Sequence, residues 1–328
     1  MKAAVHTKYG PPERLTVTEV EKPVPRDNEL LVKVHAATVT RTDCGFLRAT
    51  PFVTRFFSGL LKPKQTIIGE EFAGEVKAVG KDVTEFQVGD RVFGYDSYNK
   101  ARIGTQAEYT VIDTDAAVTT IPDGLSFEDA APSNEGVHYA YMVLRRCDIT
   151  PGTNVLINGA TGGIGSAAVQ LCEYLGAEVV AVCDEDRSDL VRSLGADHII
   201  DYTKEDFTEV ADDGTFDVVF DAVGKSSFFR CRRLLKPGGV FTATELGPYL
   251  SNPLLALWTA VFGSFRGINV LFPIPSHSKE DIKFFKQLIV DENFTPVIDR
   301  TYPLEDIVEA YRYVEKGEKT GNVVITIH

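Results

Sequence analysis

A glycine-rich turn carries the strongest chemical signal in the sequence. The apolar run Asn154–Ile157 leads directly into NGATGGIGSAA, residues 158–168. Glycines permit a tight turn and let the backbone approach a phosphate, while the free amides of a following helix stabilise the phosphate charge. A dinucleotide site is therefore predicted, with a purely structural glycine turn as the alternative. Its expected backbone contacts are Ala160, Gly162, Gly163, Ile164 and Gly165.

Charged residues follow the next strand-like run, EVVAVC. A carboxylate at Asp184 would accept hydrogen bonds from the adenosine ribose hydroxyls and repel a 2′-phosphate, which favours NADH. Arg187 argues for NADPH, because one guanidinium can hold a phosphate through two hydrogen bonds. We therefore expect NADH and keep NADPH possible; the alternative interpretation is a solvated acidic loop.

The elements that must position these residues change character along the chain. Up to about residue 122, short β-branched runs separated by Gly, Pro and Asp predict a mostly antiparallel, barrel-like β domain. Beyond it, strand-like runs alternate with helical segments, which predicts a doubly wound parallel sheet and an α/β fold class. The domains are expected over residues 1–124 and 125–277, with residues 278–328 rejoining the first. Helices are predicted over Gly165–Leu175, Ser188–Leu194, Lys279–Asp291 and Leu304–Lys316.

Composition limits the partners of the chain. Asp and Glu number 47 against 34 Lys and Arg, and the formal net charge of −13 at pH 7 disfavours nucleic acid. The apolar stretch Pro253–Gly263 is too short to cross a bilayer, so no membrane partner is expected. The five cysteines form no CxxC pair, and the N-terminus lacks the apolar core of a signal peptide. A cytoplasmic location is the simplest expectation.

A set of colinear motifs resembles the medium-chain dehydrogenase/reductase superfamily, in particular its zinc-free quinone oxidoreductase-like branch. Besides the glycine turn and the final Gly321–Val324, the matching stretches are Thr40-x-x-Asp43, Gly69-x-Glu71-x-x-Gly74-x-Val76, Val88-Gly89-Asp90-Arg91-Val92, Gly104-x-x-Ala107-Glu108-Tyr109, Leu194-Gly195-Ala196-Asp197, Asp221-x-Val223-Gly224 and Leu235-Lys236-Pro237-Gly238-Gly239. The resemblance implies a GroES-like catalytic domain, a Rossmann cofactor domain, a cleft between them, and a homodimer or homotetramer, of which we expect the homodimer.

The resemblance also bears on metal use. By motif alignment, the catalytic zinc positions of metal-using relatives correspond to Thr40, Glu70 and Glu135. A threonine hydroxyl is a poor ligand for zinc, and the cysteine-rich structural-zinc lobe of those relatives has no counterpart, so no metal is expected. Two carboxylates at one emptied zinc site would repel each other and raise the pKa of one of them, which could then donate a proton as a neutral acid. The alternative is that each forms an ion pair with Arg41 or Arg48.

Without a metal, the family implies hydride transfer from nicotinamide C4 to an electron-poor carbon of an enone or quinone. Thr42 occupies the position of the proton-relay hydroxyl of the metal-using relatives, Tyr139 a hydroxyl position beside the nicotinamide, and Asp43 would orient the loop. A turn hydroxyl at Thr42 and a packing aromatic at Tyr139 are the alternatives. The resemblance further places Thr40, Tyr202, Val223 and Gly224, and more loosely Lys319 and Asn322, near the cofactor.

These expectations lead to one main functional hypothesis and two others. The main one is a zinc-independent NAD(P)H oxidoreductase acting on a small hydrophobic quinone or α,β-unsaturated carbonyl. A metal-free aldehyde or ketone reductase is the second, and a cofactor-binding sensor with little turnover is the third. The apolar segment of residues 244–275 could form a wall of the substrate pocket, and its stretch Ile268–Phe272 resembles the edge strand through which family dimers pair.

Overall fold

The computed structural model describes residues 1–97, 101–272, 276 and 278–328. The last residues of the predicted pocket wall, 273–275, and His277 lie outside the described residues. The chain forms two compact units. The first comprises Met1–Glu135, His277–Glu292 and Pro296–His328, and the second comprises Gly136–Ser276 and Asn293–Thr295.

Strands and helices alternate along the described chain. The strands are β1 (Lys2–Val5), β2 (Thr16–Glu19), β3 (Glu29–Val39), β4 (Glu71–Val79), β5 (Arg91–Tyr95), β6 (Tyr109–Asp113), β7 (Ala117–Thr120), β8 (Asn154–Asn158), β9 (Glu178–Cys183), β10 (His198–Asp201), β11 (Phe216–Asp221), β12 (Leu235–Ala243), β13 (Asn269–Leu271), β14 (Ile298–Pro303) and β15 (Asn322–Thr326). The helices are α1 (Arg41–Arg48), α2 (Thr54–Ser58), α3 (Phe127–Ala130), α4 (Glu135–Leu144), α5 (Gly163–Tyr174), α6 (Ser188–Ser193), α7 (Phe207–Val210), α8 (Phe228–Cys231), α9 (Ser251–Phe262), α10 (Lys279–Val290) and α11 (Ile307–Lys316). Short 3₁₀ turns occupy Pro12–Arg14, Glu185–Arg187, Arg232–Leu234, Pro248–Leu250 and Leu304–Asp306.

The first unit is built around the long strand β3. Its sheet has the order β14-β15-β3-β4-β5-β7, with β6 also pairing with β3, and β1 and β2 form a separate ribbon. The pairs within this sheet are antiparallel except β14 with β15. The C-terminal strand β15 pairs with β3, and Val323 lies opposite Val39. Apolar side chains such as Phe72 and Tyr311 are fully buried around it and hold the sheet together by removing apolar surface from water.

The second unit is a parallel six-stranded sheet with the order β10-β9-β8-β11-β12-β13. Its strands are buried apolar runs, including Leu156, Val219 and Phe241, as expected where helices cover a parallel sheet. The order reverses at β8, which lies between β9 and β11. Ligands of doubly wound sheets bind at the carboxyl ends of the strands where the order reverses. The glycine turn after β8 occupies this position.

The predicted α/β fold class is confirmed, since a parallel doubly wound sheet accompanies a mostly antiparallel β unit. The helix predicted over Leu304–Lys316 is wrong in its first turn, where a 3₁₀ turn precedes α11. The helix α9 within the predicted pocket wall was missed. Because α9 is apolar on almost all sides, its sequence shows no helical period. Within the described residues, no helix is long and apolar enough to span a membrane.

Candidate active site

The start of α1 fixes the first group of candidate residues, all in the first unit. Thr40 is the N-cap, and its side chain accepts a hydrogen bond from the Asp43 backbone N–H, 3.2 Å away. In return, the Asp43 carboxylate accepts the Thr40 N–H at 2.8 Å and the Thr40 hydroxyl at 3.1 Å. This reciprocal capping box sets where α1 begins and places Thr42 in its first turn.

The Thr42 hydroxyl donates a hydrogen bond to Oε1 of Glu135 at 2.5 Å. Glu135 is buried at the start of α4. Behind it, Oε1 of Glu71 accepts the backbone N–H groups of Asn134 at 3.1 Å and of Glu135 at 2.6 Å. The hydroxyl of Thr38 donates to the other Glu71 oxygen at 2.7 Å. These bonds connect β3, β4 and the beginning of α4 into one buried polar cluster.

Burial raises the pKa of three carboxyl groups at this site, those of Glu71, Asp43 and Glu135. Burial and repulsion from Glu135 raise the pKa of Glu71 to about 8. Burial, followed by repulsion from Glu135 and Glu70, holds the pKa of Asp43 well above its ordinary value. Burial also raises the pKa of Glu135, although the hydroxyls of Thr42 and Thr40 and the charge of Lys319 oppose the shift. Burial therefore favours the protonated form of each of these carboxyl groups.

The arginines expected to pair with Glu70 and Glu135 have another partner. Arg48 makes a two-pronged ion pair with Glu315, at 2.5 Å and 2.7 Å, and Arg41 donates to the Glu315 backbone oxygen at 3.4 Å. Both arginines therefore contact Glu315 at the end of α11. Glu70 is buried, and its backbone oxygen accepts the N–H of Asp96 at 2.8 Å.

The three positions that correspond to zinc ligands fit that ion poorly. The Thr40 hydroxyl caps α1, and the carboxyl of Glu135 accepts the Thr42 hydroxyl. One hydroxyl and two carboxyl groups lack the thiolate and imidazole donors that zinc prefers. Among the described residues, no three His, Cys, Asp or Glu side chains are placed to hold a metal ion together.

Close backbone packing shapes the glycine turn of the second unit. Gly159 has φ +83°, so the left-handed backbone conformation of the turn lies at Gly159. Ala160 has no positive φ, and its position therefore does not require a glycine. A Cβ on Gly165 would lie 2.0 Å from the Gly159 oxygen, whereas one on Gly162 would meet only that oxygen, at 3.7 Å. Gly162 therefore faces open space at the N-terminus of α5, the position where the motif predicts a pyrophosphate. Gly163 and Ile164 form the first turn of α5.

The residues expected to contact adenosine gather at the ends of β9, β10 and β11. Arg187 forms an ion pair with Oδ2 of Asp184, so the two groups with opposing cofactor preferences bind each other. The other Asp184 oxygen is buried and has no partner among the described residues, so it can accept a ribose hydroxyl. Tyr202 is exposed beside this strand end, and its N–H donates to the Cys183 oxygen at 3.2 Å.

The loop after β11 completes this region. Val223 packs over the glycine turn, since a Cβ on Gly159 would lie 2.2 Å from its Cγ1. Asp221 holds the loop by accepting the N–H groups of Val223 at 3.3 Å and of Ser226 at 2.8 Å. Gly224 has φ +65°. Val223 and Gly224 are therefore brought beside the turn, as the motif predicts for residues that line a nucleotide.

Tyr139 and His138 lie on α4 in the second unit. A Cβ on Gly136 would be 2.6 Å from the Gly163 oxygen, so α4 packs tightly on the first turn of α5. Half-buried Tyr139 is one turn further along α4 and shares this face. Burial lowers the pKa of His138 to about 4, which leaves its imidazole neutral at physiological pH.

Two candidates near the C-terminus have structural contacts. Lys319 donates to the Gly321 backbone oxygen, and burial lowers its pKa against the opposing attraction of Glu135. Asn322 is buried, and its side chain donates to the Val297 oxygen at 3.0 Å. Sequence reasoning missed Glu71 as a site residue. The only signal was its place in the Gly69-x-Glu71 motif, because its partners Asn134 and Glu135 are more than 60 residues away along the chain.

Comparisons with known proteins agree with this architecture. Residues 26–123 match the alcohol dehydrogenase GroES-like domain, and residues 194–325 match a zinc-binding dehydrogenase family. The chain is 32% identical to a zinc-type alcohol dehydrogenase-like protein of Schizosaccharomyces pombe, over 98% of this chain and 95% of that protein. It is 32% identical to 2-methylene-furan-3-one reductase of Solanum lycopersicum, over 99% of this chain and 79% of the relative.

Two further similarities concern reductases. The chloroplastic NADPH-dependent alkenal/one oxidoreductase of Arabidopsis thaliana is 28% identical, over 99% of this chain and 79% of its own length. The solved structure of the quinone oxidoreductase from Coxiella burnetii superposes with a TM-score of 0.87 at 25% identity, covering 100% of this chain and 99% of that one.

Proposed function

Because the chain belongs to the medium-chain dehydrogenase/reductase superfamily, in its quinone oxidoreductase-like branch, we propose that it is an NAD(P)H-dependent oxidoreductase. Its substrates are small quinones or α,β-unsaturated carbonyl compounds, the classes named in the reductases it resembles. The observation that carries the proposal is the buried hydrogen bond between Thr42 and Glu135, which joins a hydroxyl to a carboxyl group of raised pKa.

The glycine turn and its surroundings fit a nicotinamide dinucleotide. The open space at Gly162 and the amides of the first turn of α5 would hold the pyrophosphate, and Asp184 would accept a ribose hydroxyl. Tyr202, Val223 and Gly224 would flank the adenosine. A bound nicotinamide supplies a hydride to an electron-poor carbon of the substrate.

The residues of the first unit supply the proton. Hydride addition to the β-carbon of an enone leaves negative charge on the carbonyl oxygen, which a hydrogen-bond donor must stabilise. When Glu135 is protonated, the hydrogen bond between Thr42 and Glu135 reverses and the carboxyl group donates to the Thr42 oxygen. Thr42 then gives its hydroxyl proton to the substrate and takes the proton of Glu135, which is left as a carboxylate and regains a proton from water. Asp43 positions Thr42 through the capping box at Thr40. Tyr139 is the second candidate hydroxyl, because its helix packs on the first turn of α5.

We further propose that turnover needs no zinc. The donor set of Thr40, Glu70 and Glu135 supports this, and the proton relay gives the developing charge another means of stabilisation. We propose that Thr40 caps α1 and lines the active site.

The cofactor preference is set by the pair of Asp184 and Arg187. While Asp184 is paired with Arg187, its free oxygen still faces the ribose site, which favours NADH. NADPH remains usable, because the Arg187 guanidinium can turn from Asp184 to a 2′-phosphate. Replacing Arg187→Gln is expected to lower kcat/KM with NADPH by about tenfold, because a charge-assisted hydrogen bond is lost, and to leave the value with NADH nearly unchanged. Equal losses with both cofactors would contradict this role.

The protein is proposed to act as a cytoplasmic homodimer. The five cysteines are free thiols, in agreement with a reducing compartment. The strand β13 ends the parallel sheet, and the neighbouring helix α9 exposes Leu254, Leu257 and Val261, which supports pairing of two copies along this edge. Sedimentation of the purified protein as a monomer would overturn the dimer.

The function is tested by following the absorbance of the reduced cofactor with a quinone and an alkenal, with and without EDTA. We expect oxidation of NADH, and more slowly of NADPH, that survives the chelator. Loss of turnover in EDTA, restored by zinc, would contradict the metal-free proposal. Cofactor binding without turnover on any substrate would favour a cofactor-binding sensor.

A further inference from the structure

An exposed group of large apolar side chains follows α1 in the first unit. We call it the apolar tip, and it comprises Phe52, Val53, Phe56, Phe57, Leu60 and Leu61, with exposed fractions between 47% and 89%. Monomeric proteins rarely leave so many neighbouring apolar side chains in water without a binding purpose. The mechanism proposed above makes no use of these residues.

The backbone holds the tip outward. The Tyr9 hydroxyl contacts the Ser58 hydroxyl at 2.8 Å and donates to the Gly59 oxygen at 2.7 Å, which anchors the inner side of α2. The Lys64 N–H donates to the Ser58 oxygen at 2.8 Å and closes the turn that carries Leu60 and Leu61. The turn requires glycine, because Gly59 has φ +125° and a Cβ there would lie 2.1 Å from the Lys62 oxygen. The apolar side chains are thus presented on an ordered support.

The segment that carries the tip has a positive charge, opposite to that of the whole chain. Although 47 of the 328 residues are Asp or Glu, none falls between Cys44 and Gly69. This stretch contains four cations, of which Arg48 is paired with Glu315 and Arg55 lies over the rings of Tyr9 and Phe52. Lys62 and Lys64 are exposed directly beside Leu60 and Leu61.

We propose that the apolar tip docks reversibly on the surface of an anionic lipid bilayer. Apolar side chains would enter the boundary between headgroups and acyl chains, while Lys62 and Lys64 remain at the level of the phosphates. The net charge of −13 does not prevent this contact, because charges farther than about 8 Å are largely screened at physiological ionic strength. The proposal revises the expectation of no membrane partner, which considered only membrane-spanning segments.

A second copy of the chain suits the tip less well. A symmetric contact between two tips would bring Lys62 and Lys64 of both copies together, and their like charges would repel. An anionic surface pairs with the lysines and accepts the apolar side chains at the same time. The test of docking does not depend on the proposed reaction, because vesicle binding is measured without substrate or cofactor.

The test is co-sedimentation of the full chain with vesicles of phosphatidylcholine alone or mixed with phosphatidylglycerol. We expect binding to the mixed vesicles that weakens with salt. The double variant Leu60→Asp/Leu61→Asp is expected to lose about tenfold or more in partitioning. The matched control Val24→Asp/Val88→Asp changes two valines of the same unit, 76% and 61% exposed, and should bind like the wild type.

A second pair of variants separates charge from apolar contact. Lys62→Glu/Lys64→Glu should lose binding to the mixed vesicles by about tenfold or more, whereas the charge-matched control Lys283→Glu/Lys316→Glu should keep it. Thermal unfolding verifies that each variant folds. The proposal is overturned if the wild type fails to bind mixed vesicles, or if control and tip variants lose binding equally. A dimer that dissociates only in the tip variants would overturn it in favour of a second copy.

Discussion

The proposed proton transfer depends on one hydroxyl and one carboxyl group. Thr42 donates to Glu135 in the structure, and burial raises the pKa of this carboxyl group, which favours its protonated form. In that form Glu135 can replace the proton that Thr42 releases. The resemblance that includes Thr40-x-x-Asp43 marks Thr42 and Asp43 as candidates, and the structure places both in the first turn of α1. Glu71 could not be predicted as their support, because it acts on the backbone of residues remote in sequence.

Removing the Thr42 hydroxyl tests the relay. Thr42→Val keeps the shape of the side chain and is expected to lower kcat on an alkenal about a hundredfold, because one positioned proton donor is lost. Cofactor affinity, measured by fluorescence titration, should change little. The control Thr42→Ser keeps a hydroxyl and should retain most activity. A Thr42→Val enzyme as fast as the wild type would exclude the relay.

The relay also predicts a pH dependence. Because the protonated form of Glu135 supplies the proton and burial raises its pKa, kcat/KM should be highest at low pH and fall as the pH rises through that pKa. Glu135→Gln cannot donate, so it should be slow and its profile should be flat in this region. Steady-state rates across neutral and alkaline pH give the comparison. An unchanged fall in Glu135→Gln would assign the titration to another group.

At the scale of elements, the glycine turn and the start of α5 show what sequence predicts well. The strand, turn and helix follow from local spacing, and the structure places them at the point where the strand order reverses. The helix α9 was missed because its apolar residues surround the whole helix, and which of its faces is buried depends on the tertiary fold. Leu255 and Ala256 are partly buried against the core of the second unit, whereas Leu254 and Leu257 are exposed.

Two glycines of the turn are expected to respond differently to alanine. Gly165→Ala places a Cβ 2.0 Å from the Gly159 oxygen, so the turn must shift and the melting temperature should fall. Gly162→Ala meets only that oxygen at 3.7 Å, with φ −72°, so it should fold normally but bind the dinucleotide more weakly. Calorimetry and cofactor titration separate these effects. Normal cofactor binding by Gly162→Ala would show that the pyrophosphate does not bind against Gly162.

At the scale of the whole molecule, the buried carboxyl groups link stability to pH. Burial raises the pKa of Glu71 from 4.5 to about 8, so its contribution to stability is complete below pH 4.5 and is lost as the pH rises towards 8. The shift corresponds to at most about 5 kcal/mol. His138 acts oppositely, since its lowered pKa of about 4 favours the fold above pH 6.5.

Above pH 6.5, the opposite effect of His138 no longer changes with pH. The variant Glu71→Gln keeps an oxygen that can accept the N–H groups of Asn134 and Glu135 but cannot ionise. Its melting temperature should fall less than that of the wild type between pH 6.5 and 8, although Asp43 and Glu135 preserve part of the slope. Thermal unfolding in matched buffers measures the difference. Parallel curves would show that Glu71 is ionised throughout this window.

The carbon that receives the hydride distinguishes enone reduction from carbonyl reduction. The protein is incubated with an alkenal and a reduced cofactor that carries deuterium at C4, and the product is analysed by mass spectrometry and NMR. We expect a saturated aldehyde with deuterium on the former β-carbon, as hydride transfer to the alkene requires. An allylic alcohol with deuterium on the carbinol carbon would contradict it and identify a carbonyl reductase instead.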